Sequence, residues 1–294
     1  DEEEKVTKDE ICKIVNSCSK LGIKKIRLTG GEPLVRKDIV ELVEAINKIE
    51  GIEEIYLTTN GILLEDKVYI LKKAGLKGVN ISLDSLKDEM FNKLTRLGEL
   101  KKVLKSIDKC LEHGINVKLN VVMIKGMNED EILDFVKLTL DKSMDVRFIE
   151  LMPIGVGSKF KGVSNEEIKK IIKDNYNDTE EVMKNKNGGP ATYIKLRDAK
   201  GKVGFISAIS NCFCEECNRI RLTSEGFLKQ CLHYNYGIDL KKLLRNGASE
   251  EEIINAIEEN IFNMDRAGGN TAVCNIGGLV TLDTNIDYDE FCYN

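Results

Sequence analysis

The sequence predicts an α/β fold in which strands and helices alternate through the first half, followed by a smaller α+β region. Three observations carry this expectation. Between residues 7 and 151, five short strands with period-two alternation are separated by stretches of helical periodicity, which calls for parallel pairing. No dinucleotide-type glycine fingerprint interrupts the series, so the strand–helix units point to a barrel or part of one. After Pro153 the rhythm breaks, which places a domain boundary near residues 152–160 and divides the chain into 1–153 and 154–294.

Each element follows from local pattern. Thr7-x-x-Glu10 is a capping box, and Ile11, Ile14, Val15, Cys18 and Leu21 share the face of the helix it opens. Strand 25–29 ends at Gly30-Gly31, and helix 37–49 carries Ile39, Val40, Leu42, Val43 and Ile46. Strand 55–60 stops at Gly61, helix 63–74 at Gly75, strand 79–84 leads toward helix 99–113, and that helix ends at Gly114. Strand 117–122 follows, then a helix with Asn128-x-x-Glu131 as its expected cap, then strand 146–151. In the second half, Ser164-x-x-Glu167 and Ser249-x-x-Glu252 cap helices, and 192–197 and 203–208 form an antiparallel pair. No role is legible for residues 279–294.

Composition narrows the class of function. Lys+Arg 44 against Asp+Glu 49 gives a formal charge of −5, which argues against a general nucleic-acid or anionic-membrane binder. No apolar run reaches the length of a membrane span, so a cytoplasmic protein is expected. Nine cysteines, four of them within 212–231, suit metal chemistry in a reducing compartment better than a disulfide framework.

Parallel strands covered on both faces should be almost wholly apolar, and these are not. Arg27 and Thr29, Thr58 and Asn60, Asn80 with Ser82 and Asp84, Lys118 with Asn120, and Arg147 each occupy one face of their strand. Three strands therefore carry a cation on the polar face. An unpaired buried charge costs several kcal/mol, so these faces should hold polar, partly anionic guests. Gly30-Gly31-Glu32-Pro33 directly follows the first strand. In isolation it reads as a plain turn, but barrel chemistry gathers at the C-terminal ends of strands, and Glu32 offers an acceptor for an ammonium group there.

The run Cys214-x2-Cys217-Asn218-Arg219-x-Arg221-Leu222-Thr223, closed by Cys231 after a glycine turn, carries the most chemistry. Cys214 and Cys217 can grip one metal from a tight loop, with Cys231 returning on the next strand. Arg219 and Arg221, two residues apart on a strand, share one face. The spacing alone fits zinc, with His233, Cys212 or Cys274 as fourth ligand, as well as an iron–sulfur cluster. Cys12, Cys18 and Cys110 lie at apolar helix positions and read as small core residues, and His113 as a cation at a helix C-terminus.

The order Lys25-x-Arg27-Leu28-Thr29-Gly30-Gly31-Glu32-Pro33, Thr58-Thr59-Asn60-Gly61, Ser82-Leu83-Asp84, Arg147-Phe148-Ile149-Glu150-Leu151-Met152-Pro153 and the cysteine–arginine run closely resembles the GTP 3′,8-cyclase (MoaA) family of radical S-adenosylmethionine enzymes, from about residue 7 to residue 278. The resemblance implies a partial (β/α)6 TIM-like barrel missing its first strand, with a C-terminal α+β iron–sulfur domain, and a lyase of molybdenum cofactor biosynthesis. In the family, a [4Fe-4S] cluster cleaves S-adenosylmethionine and the resulting radical takes hydrogen from C3′ of GTP, whose ribose then attacks guanine C8. By the same resemblance, Cys214, Cys217 and Cys231 would hold a further [4Fe-4S] cluster with one iron left for the guanine. Arg27, Thr58, Lys118, Arg219 and Arg221 would bind GTP. Gly31, Ser82 and Met152, with Gly30 and Glu32 nearby, would bind S-adenosylmethionine, and Arg147 would contact either ligand. A reductant protein and a downstream cyclic pyranopterin monophosphate synthase are implied as partners, and a homodimer is compatible with the sequence.

Two departures from the family pattern stand out. Its radical cluster uses Cys-x3-Cys-x2-Cys ahead of the first capped helix, a motif that does not occur in residues 1–294. Cys12 and Cys18 cannot replace it, because six residues turn a helix by about 240°. The motif and a first strand are expected upstream of Asp1, and the chain as given is expected not to generate the radical alone. Family members also end at Gly-Gly, matched by Gly277-Gly278, whereas this chain continues to Asn294. The rival readings are a peptide-modifying radical enzyme with an auxiliary-cluster domain, which lacks the Asn-Arg-x-Arg-Leu-Thr run, and a non-catalytic nucleotide-binding module with structural zinc.

Overall fold

The computed structural model describes residues 5–95, 99–153, 155–183, 189–210, 219–230, 236–262, 265–266, 270–271 and 279–283. Helix α1 (Lys8–Lys20) precedes strand β1 (Lys25–Thr29). Then come α2 (Ile39–Asn47), β2 (Glu54–Thr59), α3 (Val68–Ala74), β3 (Leu76–Ser82), α4 (Asp88–Thr95), α5 (Leu100–Glu112), β4 (Asn116–Val122), α6 (Ile132–Asp141), β5 (Asp145–Ile149) and α7 (Asn165–Asn175). Strands β6 (Thr179–Val182), β7 (Thr192–Leu196), β8 (Val203–Ile206), β9 (Arg219–Leu222), β10 (Phe227–Lys229) and β11 (Gly237–Asp239) follow. The chain closes with α8 (Leu240–Arg245), α9 (Glu250–Phe262) and the short strands β12 (Asp265–Arg266), β13 (Asn270–Thr271) and β14 (Leu279–Asp283). No described helix is long and apolar enough to cross a membrane.

The chain forms two compact units, one from Asp1–Thr58, Tyr69–Lys77 and Cys214–Tyr288, the other from Thr59–Val68, Gly78–Phe213 and Asp289–Asn294. In the first, β9, β14, β1 and β2 run parallel in that order, and β10 and β11 extend the sheet antiparallel beyond β9. Leu222, Leu282, Leu28 and Leu57 stand in register across the four parallel strands and are all but fully buried. Each such leucine contributes about 1.5–3 kcal/mol by leaving water. Helix α1 starts at the expected capping box, with Thr7 Oγ1 accepting from the Glu10 amide, and lays Ile11, Ile14, Val15 and Cys18 into the core.

In the second unit, β3, β4, β5 and β8 run parallel, and β7 and β6 continue antiparallel. Ile81, Leu119, Val146 and Val203 are in register and fully buried, and the next row stacks Phe148 on Phe205 with ring centroids 6.3 Å apart. The expected antiparallel pair is present as β7 and β8. The additional parallel pairing of β8 with β5 was not legible, because a pairing partner more than fifty residues away leaves no mark on local periodicity.

Other local expectations need correcting. The expected helix 63–74 is a 3₁₀ turn, Glu65–Lys67, followed by the shorter α3. Helix α4 was not anticipated, since its amphipathic pattern buries only Phe91. Asn128-x-x-Glu131 is not a capping box. Asn128 Oδ1 accepts from the Ile124 amide and its Nδ2 donates to the carbonyls of Asp84 and Val122, tying together the ends of β3 and β4. Glu131 accepts from Ser85 Oγ and the Leu86 amide. Both side chains are buried, and tertiary partners outcompete the local cap. Part of the C-terminal stretch without an expected role forms β14, parallel to both β1 and β9.

Candidate functional site

In the first unit the alternation of β1, β2 and β9 sends the leucines to one face and the polar residues to the other. Arg221, Thr281, Arg27 and Tyr56 occupy neighbouring register positions on that polar face. Arg219 and Lys25 lie one step of two back on β9 and β1, and Lys25 pairs with Glu54 at 2.9 Å. Thr58 is two residues beyond Tyr56 on β2 and half-buried, as are Arg27, Arg219 and Arg221. The structure thus brings four of the five expected GTP-binding residues to one sheet face. Burial, helped by Glu54, pushes the Tyr56 phenol up to about 12, so it stays a neutral hydrogen-bonding group on this cationic wall.

Gly30 ends β1 with φ +144°, a conformation that glycine adopts without strain. Gly31 is exposed, and Glu32 Oε1 accepts from the Leu34 amide, capping the 3₁₀ turn Pro33–Val35. That carboxylate therefore has a structural duty beyond the acceptor role expected for it.

In the second unit, Ser82, Asn120, Arg147 and Gly204 form one register row, with Asn80 and Lys118 in the row behind. Arg147 is 8% exposed, and its Nη2 donates to Asn80 Oδ1 at 2.7 Å and Asn120 Oδ1 at 2.6 Å. Burial lowers the Arg147 pKa, opposed by the neighbouring Tyr193 and Asp145. A side chain at Gly204 would meet the Tyr193 ring at 2.8 Å and Arg147 Cγ at 2.9 Å, so glycine is what lets these two pack. Among the described residues, Ser82 Oγ and Arg147 Nε are buried without a hydrogen-bond partner. Asp84, at the end of the same polar series, accepts from the Val122 amide, and burial pushes its carboxyl up to about 7.

Met152 follows β5 and is half-buried. Two residues earlier, Glu150 collects four donors: the amides of Ile209, Ser210 and Asn165, and Ser210 Oγ at 2.6 Å. Burial would raise its pKa, but these hydrogen bonds outweigh burial and hold the carboxyl below its ordinary range. The sequence marked Glu150 only as part of a motif. Neither its role nor that of Tyr193 was visible, because both depend on partners distant along the chain. Cys12 is half-buried, and Cys18 and Cys110 are buried with thiols pushed up to about 12, as suits core residues. Cys212, Cys214, Cys217, Cys231, His233 and Cys274 lie outside the described residues.

Comparison with known proteins gives these faces a context. A family profile described as Radical SAM superfamily matches residues 1–139, and one described as Molybdenum Cofactor Synthesis C matches residues 144–267. A protein of Clostridium perfringens (strain 13 / Type A) named GTP 3′,8-cyclase is 56% identical over 257 residues, covering 87% of this chain and 80% of that protein. Relatives of the same name from Alkaliphilus oremlandii and Clostridium botulinum (strain Langeland) are 50% and 47% identical, over 84% and 87% of this chain and 77% and 79% of theirs. Among solved structures, that of Streptococcus suis SuiB bound to S-adenosylmethionine superposes with a TM-score of 0.58 at 17% identity. The match covers 81% of this chain and 58% of that one, and it shows a shared fold. At 56% and 50% identity over most of both chains, the chain belongs to the GTP 3′,8-cyclase family of radical SAM enzymes.

Proposed function

We propose that this chain carries the substrate- and cofactor-binding residues of a radical S-adenosylmethionine lyase that converts GTP to (8S)-3′,8-cyclo-7,8-dihydroguanosine 5′-triphosphate, the reaction that opens molybdopterin cofactor biosynthesis, and that residues 1–294 do not generate the radical alone. The observation that carries the reading is the 56% identity to a GTP 3′,8-cyclase across most of both chains. The grouping of Arg27, Arg219, Arg221 and Thr58 on one polar sheet face supports it. We assign the barrel part to residues 1–153 and the substrate-binding part to 154–294.

Arg27, Arg219 and Arg221 bind the triphosphate through charge-assisted hydrogen bonds, with Lys118 and Thr58 as further contacts. Arginine suits this task because it stays charged when desolvated and presents its donors in a fixed fork. Gly30 and Gly31 let the backbone after β1 approach the methionine part of S-adenosylmethionine, with Glu32 beside it. Ser82 and Met152 contact the same cofactor. The buried Ser82 Oγ, which lacks a hydrogen-bond partner among the described residues, fits a polar group arriving with a ligand. Bound S-adenosylmethionine and a reduced [4Fe-4S] cluster supply radical chemistry at C3′ of the substrate. The thiol set Cys214, Cys217 and Cys231 suits a second [4Fe-4S] cluster with one iron not ligated by cysteine. A reductant protein delivers electrons and a cyclic pyranopterin monophosphate synthase consumes the product.

Anaerobic reconstitution followed by iron and sulfide analysis and by GTP binding tests this reading. Iron and sulfide in cluster proportion are expected, with the iron held in this chain's second half lost in Cys231→Ser. Zinc without sulfide, or no measurable GTP binding, would overturn it.

A further inference from the structure

The asparagine pair on the polar face of the second unit has no part in the reaction as described above. Asn80 and Asn120 sit on adjacent strands, and both direct Oδ1 at the same atom, Arg147 Nη2, at 2.7 and 2.6 Å. The guanidinium is held in a polar cradle made from neutral groups. Tyr193 is its other hydrogen-bonding neighbour, and Asp145 acts on it only through space. Among the described residues no carboxylate forms an ion pair with Arg147, although the residue is 8% exposed. A buried cation usually finds a carboxylate, because an uncompensated charge in low dielectric costs several kcal/mol. Here the described residues supply acceptors without supplying charge. Arg147 Nε and, in the same register row, Ser82 Oγ are buried without hydrogen-bond partners among the described residues. The contribution missing among the described residues is a negatively charged oxygen group, which a ligand can bring.

We propose that Asn80 and Asn120 are positioning residues that orient the Arg147 guanidinium and leave its charge available to an anionic oxygen group of a ligand. The inference rests on the function proposed above, in which two ligands carry such groups: GTP its phosphates, S-adenosylmethionine its carboxylate. The neutrality of the two amides is the essential property. A carboxylate at either position would keep the geometry, strengthen the hold on the guanidinium, and compete with the ligand for its charge.

Asn120→Asp and Asn80→Asp test this directly, with Asn116→Asp at the exposed start of β4 as a control. Equilibrium binding would be measured for GTP and S-adenosylmethionine and for their uncharged counterparts, guanosine and 5′-methylthioadenosine, alongside thermal melting. Losing one charge-assisted hydrogen bond predicts an affinity drop of about tenfold to hundredfold for the ligand whose anion meets Arg147. Its uncharged counterpart should bind as before, and the melting temperature should not fall. A loss confined to GTP assigns the anion to phosphate, and one confined to S-adenosylmethionine assigns it to the carboxylate. Unchanged affinity for both, an equal loss for the uncharged counterparts, or destabilisation of both variants would overturn the positioning role. If the unaltered chain bound neither ligand, the functional reading would fall first, before any variant was compared.

Discussion

Single residues on these sheets do more than their types suggest. Arg219 and Arg221 alternate with Ile220 and Leu222 on β9, so a double substitution to alanine removes two cations without touching the buried face. GTP affinity is expected to fall by about a hundredfold or more, from the loss of roughly 1.5 kcal/mol or more per charge-assisted contact. The urea midpoint should move little. Calorimetric titration checks the first and equilibrium denaturation the second. Asp84 offers a test of opposite character. Its folded pKa of about 7 lies above the ordinary 3.8, so its contribution to stability is complete below pH 4 and is lost as pH rises to about 7. Asp84→Asn keeps an acceptor for the Val122 amide and removes the charge. It is expected to stabilise the chain by up to about 4 kcal/mol at pH 8, and to flatten the stability profile between pH 4 and 7. Denaturant midpoints across that range measure both effects.

Elements are held in place by buried polar anchors as much as by apolar packing. Asn128 ties the ends of β3 and β4, and Glu150 ties the end of β5 to residues 209–210 and to the start of α7. Glu150→Gln turns one of two acceptors into a donor facing donors. The expected cost is about 2–4 kcal/mol, seen as a lower denaturant midpoint and faster protease cleavage near residue 210. The lowered pKa of Glu150 works in the opposite sense to that of Asp84. Its stabilisation is present above its ordinary 4.5 and is lost as pH falls through and below that value, a dependence the glutamine variant should not show. Neither anchor was legible as such. Asn128 and Glu131 have the spacing of a helix cap, and spacing cannot reveal that buried neighbours claim both side chains first. The true caps at Thr7, Ser164 and Ser249 were legible because each hydroxyl accepts from an amide of its own first turn, even where the boxed carboxylates of Glu10 and Glu167 also take distant partners.

At the scale of the whole molecule, the last described strand matters most. In the first unit β14 lies between β1 and β9, with Thr281 and Leu282 buried, so it joins Lys25 and Arg27 of β1 to Arg219 and Arg221 of β9 on one continuous face. Ending the chain after Gly278 would expose the hydrogen-bonding edges of both neighbours. A lower melting temperature and concentration-dependent light scattering are expected. An unchanged melting curve would show that β14 carries no stability.

The strand order along the first half, the polar face of each strand and the shared face of Arg219 and Arg221 are all written in short-range periodicity. A period of two or of 3.6 is a local property, and burial of one face enforces it. The cysteine–arginine run and the glycines after β1 likewise announce their chemistry through residue type and spacing. What no local pattern carries is which distant segments meet. The pairing of β8 with β5, the place of β14, the four donors on Glu150 and the two amides on Arg147 all arise from contacts far apart in sequence. Buried polar groups must find partners wherever the fold brings them.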